Sequence, residues 1–153
     1  MSDYRIQKVR RAVEVTFTNG LRLDGDVFVQ SSTRFGSGPE DPLDLLNDDE
    51  PFLPLVLESG AAYLVQKAQI AIVGTGLPEG DDALERAVVG MKIELTLIDG
   101  STHVGSIFPE SRADRQRLID VLNDLSLPFV ALFTADQLRL VNRRQIAYVR
   151  PVN

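Results

Sequence analysis

The chain has 153 residues, 44% of them hydrophobic and 25% charged, with a net charge of −6, 1 histidine and no cysteine. The missing cysteine excludes disulfides, zinc–thiolate sites, iron–sulfur clusters and a cysteine nucleophile. Residues 1–80 carry 7 bases and 12 acids and residues 81–153 carry 9 and 10, which argues against a broad phosphate-binding surface. No apolar run approaches the roughly 18 residues that span a bilayer. The first residues, Met1–Arg11, lack the apolar core of a secretory signal, so a cytoplasmic protein is expected, with no membrane partner.

Residues 2–12, with Arg5, Lys8, Arg10 and Arg11, read as a polar arm or short helix whose charges form a solvated face. Val13–Thr18 alternates apolar and polar as a half-buried strand does, and Asn19-Gly20 predicts a tight type I′ hairpin turn. The return strand Leu21–Val29 holds Gly25, which predicts a bend or bulge. Residues 36–51 contain six acids and no base; within them Asp41-Pro42 reads as an N-cap and first helical position, opening one or two turns through Leu46. Strands follow at Phe52–Glu58, Ala61–Gln66 and Gln69–Val73, with a turn at Ser59-Gly60.

Gly74–Asp82 reads as a linker, after which the pattern restarts. Ile93–Gly100 answers Val13–Gly20, Gly105 answers Gly25, and Asp120-Val-Leu-Asn-Asp124 answers Asp44-Leu-Leu-Asn-Asp48. The clearest match is Leu140–Val149, LVNRRQIAYV, against Leu64–Val73, LVQKAQIAIV. The second insertion predicts a longer helix, capped by Ser111 with Asp114 three residues on, whose apolar stripe is Leu118, Ile119, Val121, Leu122 and Leu125. The expected architecture is mainly β: two tandem five-stranded units, residues 1–76 and 87–153, joined by a linker at 77–86, each with a short helical insertion between its second and third strands. Units this small are only marginally stable alone, so packing of one on the other is expected.

These residues resemble the Sm-like fold, a small SH3-like β-barrel, and particularly its bacterial Hfq branch of RNA chaperones. Val15-Thr-Phe-Thr-Asn-Gly-Leu-Arg-Leu-Asp-Gly25 is similar to the first Sm motif of that branch, and Leu64-Val-Gln-Lys-Ala-Gln-Ile70 stands where the branch has its lysine-containing second motif. The resemblance implies barrels that join edge to edge through their last strands into rings. It makes Leu64, Ile70, Leu140, Ile146 and Tyr148 the candidate assembly edge, and puts Lys67, Arg143 and Arg144 at the family's RNA-contact position. The histidine that follows that lysine in the branch is replaced by Ala68 and Arg144, the aromatic before it by Gln66 and Asn142, and the RNA-contacting loop by the insertions.

Other constellations carry less. Gly74-Thr-Gly76-Leu-Pro-Glu-Gly80 resembles a dinucleotide loop with Glu94 beyond it, but Pro78, Glu79, Asp81 and Asp82 stand where the helix and phosphate would be. The acidic run lacks the spacing of a calcium loop. His103 aligns with Leu23 on a strand and has no nucleophile in sequence view. The cluster Arg139, Arg143, Arg144 and Arg150 splits between the faces of a strand unless a turn at Asn142-Arg143 gathers Arg143 and Arg144 at one loop tip. No catalytic, cofactor or metal pattern emerges. The expectation is a non-catalytic interaction or assembly module, with self-association or another protein as partner; the alternative is an RNA-binding protein, which the acidic balance disfavours.

Overall fold

The computed structural model describes residues 8–30, 41–77, 90–108 and 117–152. Ten strands form a single open antiparallel sheet. In chain order the elements are β1 (Lys8–Phe17), β2 (Arg22–Gln30), α1 (Pro42–Asn47), β3 (Phe52–Val56), β4 (Ala62–Gln66), β5 (Ile70–Thr75), β6 (Met91–Leu97), β7 (Thr102–Ile107), α2 (Leu118–Leu122), β8 (Phe129–Phe133), β9 (Leu138–Asn142) and β10 (Ile146–Pro151). The strand order is β10-β6-β7-β8-β9-β5-β1-β2-β3-β4, so in each half the fifth strand returns beside the first. One 3₁₀ turn, at Lys67–Gln69 or Arg143–Gln145, makes that return possible.

The halves match in register as well as in order. Val13 faces Gly25 and Ile93 faces Gly105. Backbone bonds also correspond: Thr18 N–H donates to the Gln69 carbonyl and Ile98 N–H to the Gln145 carbonyl, both at 2.8 Å. The alternation Val13-x-Val15 on β1 and Val27-x-Val29 on β2 buries one face of the first half, and Ile93, Leu95, Leu97 and Ile107 do the same in the second.

Strands β8 and β9 are different, because they are buried on both faces. Phe129 on β8, with Leu138 and Leu140 on β9, enters the core of the first half; Val130, Leu132 and Val141 enter the core of the second. The unbroken apolar run Phe129-Val-Ala-Leu-Phe133 suits this position, since a doubly covered strand needs no polar face.

Several local expectations change. Asn19-Gly20 does not form a type I′ turn: Gly20, Gly60 and Gly100 alone have positive φ among the described residues, near 90°. Phe17 N–H bonds to the Leu21 carbonyl and Gly20 N–H to that of Phe17. Each hairpin therefore has a three-residue loop ending in a left-handed glycine, which spares the asparagine or aspartate from a strained φ. Gly25 and Gly105 are not bulges in the β1–β2 and β6–β7 ladders, which run through them in register. They allow the third strand of each half to approach: a Cβ on Gly25 would lie 2.6 Å from the Val56 carbonyl oxygen, and one on Gly105 2.5 Å from that of Phe133.

At the N-terminal end, residues 8–12 belong to β1 instead of an arm or helix. Arg10 lies over the Phe28 ring at 5.5 Å and faces Asp26, which satisfies its charge on the sheet surface. Helix α1 starts as expected, with Asp41 and Asp44 forming reciprocal backbone caps. Helix α2 ends at Leu122, short of Leu125, because Asp124 turns the chain by accepting from Ser126 N–H and Oγ–H. Ser111, Asp114 and most of the linker lie outside the described residues.

Alanine at Gly25 or Gly105 forces a backbone atom aside, so each variant is expected to lose about 1–3 kcal/mol of stability. Urea unfolding with an unchanged m-value checks this; wild-type midpoints for both would contradict the close-approach account.

Candidate assembly interface

The two halves meet where β5 pairs with β9, Ile72 facing Val141, Val73 facing Leu140, Gly74 facing Arg139 and Thr75 facing Leu138. Side-chain amides fasten this joint at two points. Asn142, 5% exposed, donates to the Ile70 carbonyl across the joint at 2.8 Å. Asn47, at the end of α1, accepts from Phe129 N–H at 2.8 Å and donates to the Phe129 carbonyl at 3.2 Å. It therefore fills both backbone valences of a strand residue in the other half, bonds that a side-chain amide is built to make in pairs. At the other end of the joint the Gln137 side chain covers Gly74, where a Cβ would meet Gln137 Nε2 at 2.8 Å.

This joint consumes one edge from each half and leaves the other two open: β4 at one end of the sheet and β10 at the other. The corresponding positions differ sharply in exposure. Leu140 is 0% exposed under the first half, whereas Leu64 on β4 is 72% exposed; Phe129 is 2% exposed, whereas Phe52 on β3 is 49% exposed. Of the other candidate edge residues, Ile70 is buried in the first core, Ile146 is half-buried against the second, and Tyr148 is exposed on β10. Tyr63 adds a further exposed apolar group to the β4 end.

The candidate RNA-contact bases do not gather. The Lys67 ammonium is buried and donates to the Leu45 carbonyl and to Asp48, holding α1 against its own half. Arg143 is half-buried and reaches the Leu122 carbonyl at 3.3 Å, the matching contact to α2; burial pushes its pKa down and Asp124 opposes that. Arg144 is exposed on the 3₁₀ turn, so a turn forms at Asn142-Arg143 as the clustering required. Arg139 lies elsewhere, donating to His103 Nδ1 at 2.7 Å and to Gln137, and Arg150 pairs with Glu94.

His103 is half-buried between Arg139 and Ser101, whose Oγ lies 3.1 Å from Nε2. The arrangement requires a neutral ring, with Nδ1 accepting from Arg139 and Nε2–H facing Ser101. A groove of about 700 Å³ runs across the joint past Arg10, Glu14, Asp24, Asp26, Glu58 and Asp136. Its lining is acidic: Arg10 pairs with Asp26 within it, and Glu14 and Asp24 pair with Arg22 beside it. Among the described residues no group of three or more histidines or acids could hold a metal ion, and no helix is long and apolar enough to cross a membrane.

Asn47 and Asn142 escaped the sequence reading. The signal for Asn47 was present in the shared Leu-Asn-Asp that closes both insertions, but no single-chain pattern says that an amide faces another strand. No family model, curated protein sequence or solved structure matches the chain.

Lys67→Met keeps the aliphatic stem but leaves the Leu45 carbonyl and Asp48 without their donor, and is expected to cost about 1–3 kcal/mol in urea unfolding. An unchanged midpoint would show that the ammonium does not anchor α1. Burial, then the Arg139 charge, holds the His103 pKa below its ordinary value. The unfolded chain therefore takes up this proton first, and the contribution of His103 is complete above the ordinary imidazole pKa of roughly 6.5 and is lost as pH falls from there toward the depressed folded value. His103→Gln is expected to flatten the stability profile over that window; an identical slope in both proteins would refute the assignment.

Proposed function

We propose that the protein is a non-catalytic assembly module, two Sm-like barrels in tandem that self-associate head to tail through β4 of one copy and β10 of the next. The carrying observation is that β3 and β4 are apolar on both faces, yet Phe52 and Leu64 remain exposed where the corresponding Phe129 and Leu140 are buried. Exposed strand edges with apolar faces favour pairing with another chain.

The register of the internal joint carries over to the open edges. Offsetting each position by the repeat sets Tyr148 opposite Val65, Val149 opposite Leu64 and Arg150 opposite Tyr63. Gln66 takes the place of Asn142, within reach of the Ile146 carbonyl.

Light scattering on the purified chain is expected to give a mass that is a multiple of 16.9 kDa, reverting toward the monomer in Leu64→Lys, whose charge would be buried in the joint. A strict monomer at all concentrations would overturn the reading. The RNA alternative finds less support, because the Lys67 ammonium is engaged with α1 and only Arg144 of the three candidate bases is exposed. Low-salt titration with uridine- and adenine-rich RNA is expected to give no binding; affinity that falls with salt and is lost in Arg143→Glu plus Arg144→Glu would favour it.

A further inference from the structure

Helix α2 has the residues of α1 but less of its burial: Leu118 and Val121 pack against the second core, yet among the described residues nothing covers its other side. Inside the chain α1 buries Pro42 and Leu46, packs Leu43 and Leu45 beside the first core, and ends in Asn47 clamped on the backbone of Phe129. The matching residues of α2 are Leu118, Leu122, Ile119, Val121 and Asn123. None of its helical residues is buried, Ile119 is 56% exposed, and Asn123 is exposed as well. Leu125, just beyond, is 88% exposed.

The two helices are nonetheless tethered alike to their own halves. Lys67 holds the Leu45 carbonyl and Arg143 holds the Leu122 carbonyl. Lys67 N–H bonds to the Pro51 carbonyl and Arg143 N–H to the Pro128 carbonyl, both at 2.9 Å. The frames that hold α1 and α2 are thus alike, though Arg143 takes the carbonyl one residue beyond the counterpart of Leu45, and what α2 lacks is the strand. The strand that corresponds to β8 is β3, and its Phe52, the counterpart of Phe129, is half exposed at the opposite end of the sheet.

We propose that α2 latches onto β3 of a second copy of this chain, Asn123 accepting from Phe52 N–H and donating to the Phe52 carbonyl, with the Phe52 ring covered by Ile119 and the second core. This rests on the head-to-tail reading and names the contact that selects the partner. Bare edge pairing uses backbone groups that any strand can offer, whereas an insertion helix with an amide at its end demands a strand whose first residue is free and apolar. The occupant is committed to a second copy because the chain itself supplies both members of the pair, and the filled version of the same contact is present within it. One copy cannot satisfy its own latch, since α2 and β3 belong to opposite ends of the sheet.

The absence of cysteine makes the test clean. Cysteines placed in one chain at Leu125 and Pro51, both exposed, leave Asn123 in place and are treated with a short bismaleimide; Asp49→Cys with Pro128→Cys is the control that links within a chain. The expected result is a ladder of linked chains from the first pair and none from the control. In parallel, Asn123→Ala is expected to weaken self-association roughly ten- to thirty-fold by sedimentation, with its monomer still folded by circular dichroism. An assembled wild type whose Asn123→Ala variant associates equally well, and whose cysteine pair gives no ladder, overturns the latch and leaves edge pairing standing. A wild type that stays monomeric overturns both. Because only the purified chain is used, an α2 face meant for a different protein also gives no ladder and counts against the proposal.

Discussion

The β8–β9 hairpin is covered on both faces, and the rest of the structure depends on that. Phe129, Leu138 and Leu140 complete the core of the first half while Val130, Leu132 and Val141 belong to the second. Full burial of one such side chain stabilises by about 1.5–3 kcal/mol. Three of them approach the whole stability that a unit of this size could hold alone, since roughly 60-residue units bury only about 60% of their unfolded surface. The first half is therefore completed by the second. The second half has no such cover: no residue of α2 is fully buried, and Ile119 on it and Tyr148 on β10 are exposed.

The polar groups at the joint follow from the same burial. Bringing β5 and β9 together dries the Ile70 carbonyl and the backbone of Phe129, and each must find a partner or cost on the order of 1–3 kcal/mol. Asn142 and Asn47 are those partners. Lys67 answers the same demand one layer away, taking the Leu45 carbonyl near the end of a helix too short to satisfy its own last acceptors. A base at a position that resembles a nucleic-acid contact is here a helix anchor, and an acid of the acidic run, Asp48, is its counter-ion.

Much of the fold was legible because it is periodic or punctuated. Alternation in Val13–Thr18, the left-handed glycine requirement at Gly20 and Gly100, and the Asp41-Pro42 cap each act within a few residues, so a few residues reveal them. Repetition then assigned the same elements to the second half. Less was legible where the deciding atom comes from far along the chain. Gly25 is small on account of Val56, Arg10 stays on a strand because of Phe28 and Asp26, and Asn47 matters because of Phe129, 82 residues away. The hairpin turn was misread for a different reason: Asn-Gly serves both the two-residue loop and the three-residue loop, and only the bond from Phe17 N–H to Leu21 distinguishes them.

The open edges themselves carry a constraint on any larger assembly. β10 ends in Arg150 and Pro151, a charge and a missing donor that discourage indiscriminate pairing, whereas β4 offers Tyr63 and Leu64 without such protection. An edge guarded in this way suits one chosen partner strand and resists pairing with its own kind, so symmetric β10-to-β10 contacts are disfavoured. The proposed head-to-tail joint would either close into a ring or run on as a filament. Where the joint between chains repeats the one within them, every half is related to the next by nearly the same rotation. Closure is then set by the twist stored in the β5–β9 pairing, and because each chain supplies two halves, only rings with an even number of them can close.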